Sequence, residues 1–338
     1  MYSPLYRITP YLLNLIDEAS ALRAGIERAS VQVPWLARLQ KEARSRSTHS
    51  STSIEGNPLT LSQVEALERG ESTGSPRRDE DEVTNHFRVL RWIDHHARQT
   101  IDTPAIKKMH GVLMKGLLPG SKCGVYKEKQ NYVVNEKGIR IYTPPSPRMT
   151  APLMKELIDW LHSKKSENLH GILISAIVHH RFVSIHPFSD GNGRLARVLG
   201  TWVLYQRGFD TRHVLSLDDF FARDRERYYE KIQQARDLDD DLTHWLEYVA
   251  EGIVDTLKKV QKRIETLQVA SRSSIILSPR QEEVVRLLRD QVPLPVSQLI
   301  MRLKVSRARV NQILSPLVQQ GIVIQEGKSR ATRYRLGP

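Results

Sequence analysis

His186-Pro-Phe-Ser-Asp190-Gly-Asn-Gly-Arg194-Leu-Ala-Arg197 is the stretch on which the reading of this 338-residue chain turns. Gly191 and Gly193 let the backbone bend tightly and aim its N–H groups at one point. The helix that follows adds unpaired N–H donors and the positive end of its dipole, so the turn binds anions, phosphate above all. Arg194 and Arg197, three residues apart, share a helix face and can hold further phosphate oxygens. Asp190, beside the same anion, suits Mg²⁺, which usually takes one or two carboxylates together with substrate phosphates. His186 at the loop entrance has the resting pKa to take a proton from an attacking hydroxyl near neutral pH. Cradle, cation clamp, metal carboxylate and base are the parts of phosphoryl or nucleotidyl transfer. Any one of them fits an ordinary Gly-Asn-Gly turn; a chance match of all has odds of roughly one in a hundred, judged by how many positions must agree. No G-x-x-x-x-G-K-[ST] run is present, which excludes a P-loop enzyme.

Outward from the loop the periodicity is mostly helical. Leu12, Leu13, Ile16, Ala19 and Leu22 recur at helical intervals over 10–30. Pro34 can open a second helix. Thr60-x-x-Gln63 is a capping box for a third that Gly70 stops. Residues 71–80 read as a surface loop, 81–97 and the stretch from Pro104 as helices. Tyr132-Val133-Val134, a turn over 135–138 and Ile139–Tyr142 predict a hairpin. Helices are expected at about 150–163, 168–182 and 194–207, the middle one buried because Ile172–Val178 is apolar nearly all round. Residues 217–267 are again helical, and the Ser-rich run 270–274 marks a boundary. Helices at 280–291, 296–303 and 307–320, then strands at 322–324 and 332–336, predict a winged helix.

The chain carries 51 Lys plus Arg against 38 Asp plus Glu, a formal net charge of +13. Residues 271–338 hold 12 of the former and 4 of the latter, so a fifth of the length carries +8. No run approaches the ~18 apolar residues of a membrane helix, and no basic-then-apolar leader opens the chain. A soluble, cytoplasmic protein with no membrane partner is expected. Cys123 is the one cysteine and fits a reducing compartment. With 40% apolar residues, disorder as the main state is excluded.

Residues His186 to Arg197 resemble the complete signature of the Fic (Fido) family, H-x-F-x-[DE]-G-N-G-R-x-x-R, with no position missing. Gly124-Val-Tyr-Lys, the hairpin and Tyr142-Thr-Pro-Pro-Ser-Pro are similar to the family's flap. Tyr228-Tyr229 followed by Asp241-Leu-Thr-x-Trp245 is similar to its nucleotide-side helices, and the resemblance covers about residues 1–265. It implies a mainly α fold with an N-terminal helical domain over 1–97 and a Fic core over 98–268 with a flap hairpin over 131–143; the helix-and-ribbon pattern adds the winged helix over 275–338. It also implies transfer of AMP from ATP to a Ser, Thr or Tyr hydroxyl of a target protein, with release of pyrophosphate. His186 is then the base, Asp190 holds Mg²⁺ on the α- and β-phosphates, and the N–H groups around Gly191, Asn192 and Gly193 bind phosphate. Arg194 and Arg197 engage the β/γ end, and Phe188 anchors the loop. Val133 and Val134 of the flap, with Tyr228 and Tyr229, complete the implied binding site, and a target segment can add to the hairpin as a strand. Glycine at 193, where the Doc-like phosphotransferase branch has lysine nearby, favours nucleotidyl transfer. Arg236 stands where related sequences with Tyr-Tyr-x₆-Asn place a nucleotide-contacting asparagine.

Ser51-Thr-Ser-Ile-Glu55-Gly56 fits the family's inhibitory pattern [ST]-x-x-x-E-[GN]. The implied switch has Glu55 paired with Arg197 in the place of the γ-phosphate, and Ser51, one turn earlier, steadying Glu55. In some family members this glutamate aligns water for removal of AMP, so a hydrolytic second activity is among the implications.

In the C-terminal module Ser306 can cap a helix exposing Arg307, Arg309, Asn311 and Gln312, with Val310, Ile313, Leu314 and Leu317 inward. Lys328, Arg330, Arg333 and Arg335 add the wing. The pattern matches DNA-backbone binding with base readout, while a protein partner or homodimer contact is equally open. Pro316 is expected to kink or end the helix. The alternative function is a DNA-binding regulator with a nucleotide-sensing core. Asp237-x-Asp239-x-Asp241 lacks the glycine and glutamate of an EF-hand, and His179 and His180 fit helix packing better than zinc.

Overall fold

The computed structural model describes residues 2–29, 33–134, 137–210, 212–270, 277–289, 293–327 and 332–337. Two units divide the chain: Met1–Arg23 with Ala43–Lys258, and Ala24–Glu42 with Lys259–Pro338. The helices α1 (Pro10–Arg28), α2 (Val33–Ile54), α3 (Leu61–Glu68), α4 (Arg77–His95) and α5 (Thr103–Leu113) come first. Both halves of the Thr60/Gln63 capping box are made at α3. Helix α4 begins inside the stretch read as a loop, because Asp79 and Glu80 in its first turn suit the positive end of the helix dipole.

The strands β1 (Val133–Val134) and β2 (Arg140–Tyr142) pair antiparallel, Val133 opposite Tyr142 and Val134 opposite Arg140, with a bulge between them. Five helices follow α6 (Pro147–Leu161) and α7 (Lys164–Glu167): α8 (Gly171–Ile185), α9 (Asn192–Gln206), α10 (Leu217–Arg223) and α11 (Arg225–Asp237) in the first unit, and α12 (Thr243–Ala270), whose residues from Lys259 on are assigned to the second. Helix α6 starts at Pro147, earlier than the periodicity indicates, since proline's fixed φ and missing N–H suit a first turn.

Helix α8 is the centre of this unit, as its apolar circumference requires. Ile172 through His180 are all buried. Trp245 of α12 donates to Ala176 O at 2.8 Å, and Ser175 Oγ donates to Gly200 O of α9 at 2.8 Å. Chain continuity between α8 and α9 places the signature loop at the joint of the two core helices.

The second unit continues with α13 (Pro279–Leu287), β3 (Leu294–Pro295), α14 (Val296–Leu303), α15 (Arg307–Gln319), β4 (Val323–Glu326) and β5 (Arg333–Leu336). Its sheet has three antiparallel strands in the order β3-β5-β4, with Leu294 opposite Tyr334 and Val323 opposite Leu336. The expected two-stranded ribbon thus gains β3, whose two residues lie too close to prolines to show a strand pattern. Val284, Val285, Leu299, Val310, Leu317 and Tyr334 fill the core. Pro316 is inside α15, which runs on to Gln319 because only one i→i−4 bond is forfeited. Lys328, Arg330, Asn135 and residues 271–274 lie outside the described residues. No helix among the described residues is long and apolar enough to cross a membrane.

Candidate active site

His186 caps the C-terminal end of α8, and its left-handed backbone (φ 51°, ψ 59°) turns the chain out of the helix. A non-glycine residue in that region costs on the order of 1 kcal/mol and needs surrounding structure to hold it. Several groups do so. Asn131 Nδ2 donates to Phe188 O at 2.9 Å and to His186 O at 3.3 Å. Lys127 N–H donates to Pro187 O at 2.8 Å. Phe188 is fully buried and stacked on the His110 ring, centroids 3.8 Å apart. His110 Nδ1 accepts from Gly124 N–H at 2.8 Å, which leaves the proton on Nε2 to donate to Asp190 O at 3.0 Å. Asn192 folds back on Phe188, its Oδ1 accepting from the amide and its Nδ2 donating to the carbonyl.

The His186 ring has Nδ1 3.1 Å from Val183 O, which fixes the proton there and frees Nε2 as a base. Burial lowers its pKa to about 4, aided by the charges of Lys127 and Arg236 and opposed by the Val183 hydrogen bond and by Glu55. A neutral imidazole at pH 7 is what proton abstraction from a hydroxyl requires.

Gly191 precedes α9 at φ 76°, and no side chain caps the helix. The first amides of α9 therefore have no partner within the helix. A Cβ on Gly193 would overlap Glu55 Oε1, so the acidic side chain lies against the amide cradle. Its carboxylate accepts from Arg197 NH2 at 2.8 Å. Arg197 is 1% exposed and Glu55 25%. Burial alone would raise the Glu55 pKa, and Arg197 and Arg194 outweigh it, so the carboxylate is held below its usual range. Ser51, expected to steady Glu55, grips Arg197 instead: Oγ accepts from Nε and the carbonyl from NH2, each at 2.8 Å. Arg194 pairs with Glu82 of α4 and, at 3.3 Å, with Asp190. Glu82 in turn accepts from Asn57 Nδ2 at 3.0 Å. Both signature arginines are thus engaged by carboxylates from the N-terminal region, Glu82 on α4 and Glu55 just beyond the end of α2.

Tyr228 is buried, its hydroxyl 2.9 Å from His179 Nε2 and accepting from Arg197 NH1 at 3.4 Å. Tyr229 OH donates to Ile54 O at 3.4 Å, beside Glu55. Val133 is half-buried and Val134 exposed. The flap is tied to the loop through their neighbours Asn131 and Tyr142, whose hydroxyl donates to Ser184 O at 3.0 Å. Arg236 lies 3.7 Å from the Tyr142 ring centre and donates to Ser184 Oγ and Val183 O, which joins α11, β2 and the end of α8. His180 Nε2 is 3.2 Å from Ile232 O, and the described residues hold no cluster of three or more His, Cys, Asp or Glu able to bind a metal. His110, Asn131, Asn57 and Glu82 carry no motif of their own and are not apparent from sequence, whereas Lys127 closes the Gly124-Val-Tyr-Lys run without that run showing its contact with Pro187.

Residues 100–204 match the Fic/DOC family, so the chain carries a Fic/DOC family domain. It is similar to protein adenylyltransferase Fic of Nematostella vectensis, 30% identical over 244 residues, which cover 71% of this chain and 53% of that protein. The Drosophila willistoni protein of the same name is 27% identical over 258 residues, 74% of this chain and 49% of that one. The chain therefore spans about half the length of the curated relatives it matches. A Fic family protein from Desulfovibrio desulfuricans G20 has a similar structure, with a TM-score of 0.68 and 26% identity over 99% of this chain and 98% of that one.

Proposed function

We propose that this chain transfers AMP from ATP to a Ser, Thr or Tyr hydroxyl of a target protein, releasing pyrophosphate, and that Glu55 holds the activity down. The observation that carries the reading is the Glu55 carboxylate packed against Gly193 in the first turn of α9 and bonded to Arg197, an internal anion at a site suited to anions. His186 Nε2 takes the hydroxyl proton, the hydroxyl oxygen bonds to the α-phosphorus, and the bond to pyrophosphate breaks. The amides of α9 with Arg194 and Arg197 stabilise the phosphate charge, so catalysis is mostly positioning and electrostatics. The exposed Asp190 carboxylate at the cradle rim fits Mg²⁺ with substrate phosphates as its other ligands, an ion that would neutralise phosphate charge. Labelling of proteins by α-³²P-ATP tests the reading: labelling that His186→Ala abolishes supports it, and none with Glu55→Gly overturns it.

A second activity belongs to the C-terminal unit, which we read as a winged helix from its order α13-β3-α14-α15-β4-β5. Arg307, Arg309, Asn311 and Gln312 are all exposed on α15. This face fits duplex DNA better than an apolar protein partner, by charge and by donors suited to base edges. Full-length chain is expected to bind duplex DNA with an affinity that falls steeply with salt; no binding at low salt contradicts this.

A further inference from the structure

Arg197 has a second carboxylate partner, supplied from outside both the signature loop and the segment carrying Glu55. Asp218, in the first turn of α10, places Oδ1 3.3 Å from Arg197 Nε. Its Oδ2 accepts a 2.5 Å hydrogen bond from Ser47 Oγ of α2. Glu55 meets the guanidinium at NH2 and Tyr228 at NH1, while the Nε–H is donated to Ser51 Oγ, so Asp218 Oδ1 faces Nε as a charge at ion-pair distance and not as its hydrogen-bond acceptor.

The two carboxylates differ in what can move them. Glu55 follows the last residue of α2 and is partly exposed, whereas the Asp218 side chain is 5% exposed. Burial raises the Asp218 carboxyl above its usual range, and Arg197, Ser47 and Ser51 offset only part of that rise. When a phosphate takes the place of Glu55, Asp218 is the counter-charge that stays. A buried guanidinium with no fixed counter-ion would turn toward water, and its fork would no longer face the cradle.

We propose that Asp218 is a positioning residue that keeps Arg197 aimed at the distal phosphates of ATP once Glu55 has withdrawn. The proposal rests on the AMP-transfer reading above. Two effects of Asp218 oppose each other. Its charge repels phosphate, so a residue that did no positioning would, when neutralised, leave ATP bound more tightly. Positioning predicts the reverse sign, and only for ligands that reach Arg197.

The experiment is calorimetric titration of the full-length Glu55→Gly chain with Mg-ATP and with AMP, repeated in Glu55→Gly/Asp218→Asn. The ATP Kd is expected to rise about tenfold, while the AMP Kd is unchanged because AMP lacks distal phosphates. Asp218→Glu, which keeps the charge, is expected to restore part of the ATP affinity. Unchanged or tighter ATP binding, or an equal loss for ATP and AMP, overturns the proposal. Should Asp218→Asn fail to fold, Ser47→Ala loosens the carboxylate while keeping its charge, and the same selective loss for ATP is expected. ATP binding without any AMP transfer would fault the transfer reading and leave this comparison standing, because both readouts are binding.

Discussion

Replacing Glu55 by glycine removes the carboxylate that occupies the cradle and leaves Arg197 with Ser51, Tyr228 and Asp218. The size of the effect follows from the contact. Glu55 Oε1 accepts a 2.8 Å hydrogen bond from a guanidinium that is almost wholly buried. A hydrogen bond to a charged group contributes about 1.5–3 kcal/mol net. Since about 1.4 kcal/mol is a factor of ten, the fraction of bound nucleotide in the productive pose rises roughly 10- to 100-fold. Residue 55 lies just beyond the end of α2, so glycine there adds little helix cost. The assay is initial-rate labelling with α-³²P-ATP, wild type beside Glu55→Gly. Labelling within twofold of wild type at saturating ATP would refute the brake.

Three other outcomes are expected. His186→Ala is expected to abolish transfer in the Glu55→Gly background while ATP binding is retained, since the role proposed for His186 is toward the acceptor hydroxyl and not in the phosphate cradle; lost binding in calorimetry would count against the assignment. Gly193→Ala puts a methyl where the Glu55 carboxylate lies, so ATP binding is expected to fall about tenfold or more and Glu55→Gly is not expected to rescue it; wild-type affinity would contradict the cradle. Acid should destabilise the fold: burial lowers the pKa of His86 and His180 to about 3 and of His110 and His186 to about 4. These bases stay neutral when folded but take a proton near pH 6.5 when unfolded, so stability is full above 6.5 and lost as pH falls toward 4. At pH 5.5 each costs on the order of 1.4 kcal/mol, and a urea midpoint unchanged between pH 7 and 5.5 would contradict this.

The signature loop is legible because all its chemistry is contiguous: bend, amides, arginines and base lie within His186–Arg197. Helix α8 is legible because Ile172–Val178 leaves no polar face, and α3 because a capping box needs only residues 60 and 63. The residues that hold the loop still are different in kind. His110 reaches Asp190 across 80 positions of chain, and Ser51 reaches Arg197 across 146. A single polar side chain has no periodicity, so nothing local marks His110, Asn131, Glu82 or Asp218 as partners. Glu55 was reachable only through its resemblance to an inhibitory pattern. Its spacing places it one turn past Ser51 but cannot say that Ser51 turns to the arginine. Strand β3 escaped because two residues are too few to alternate.

The most direct test of the account is intact-protein mass spectrometry of the purified Glu55→Gly chain after incubation with Mg-ATP. An added AMP mass is expected on a Ser, Thr or Tyr of the chain itself or of an added acceptor protein. That mass should be absent from Glu55→Gly/His186→Ala and reduced in wild type. ATP bound at the cradle with no covalent AMP on any hydroxyl would contradict the account.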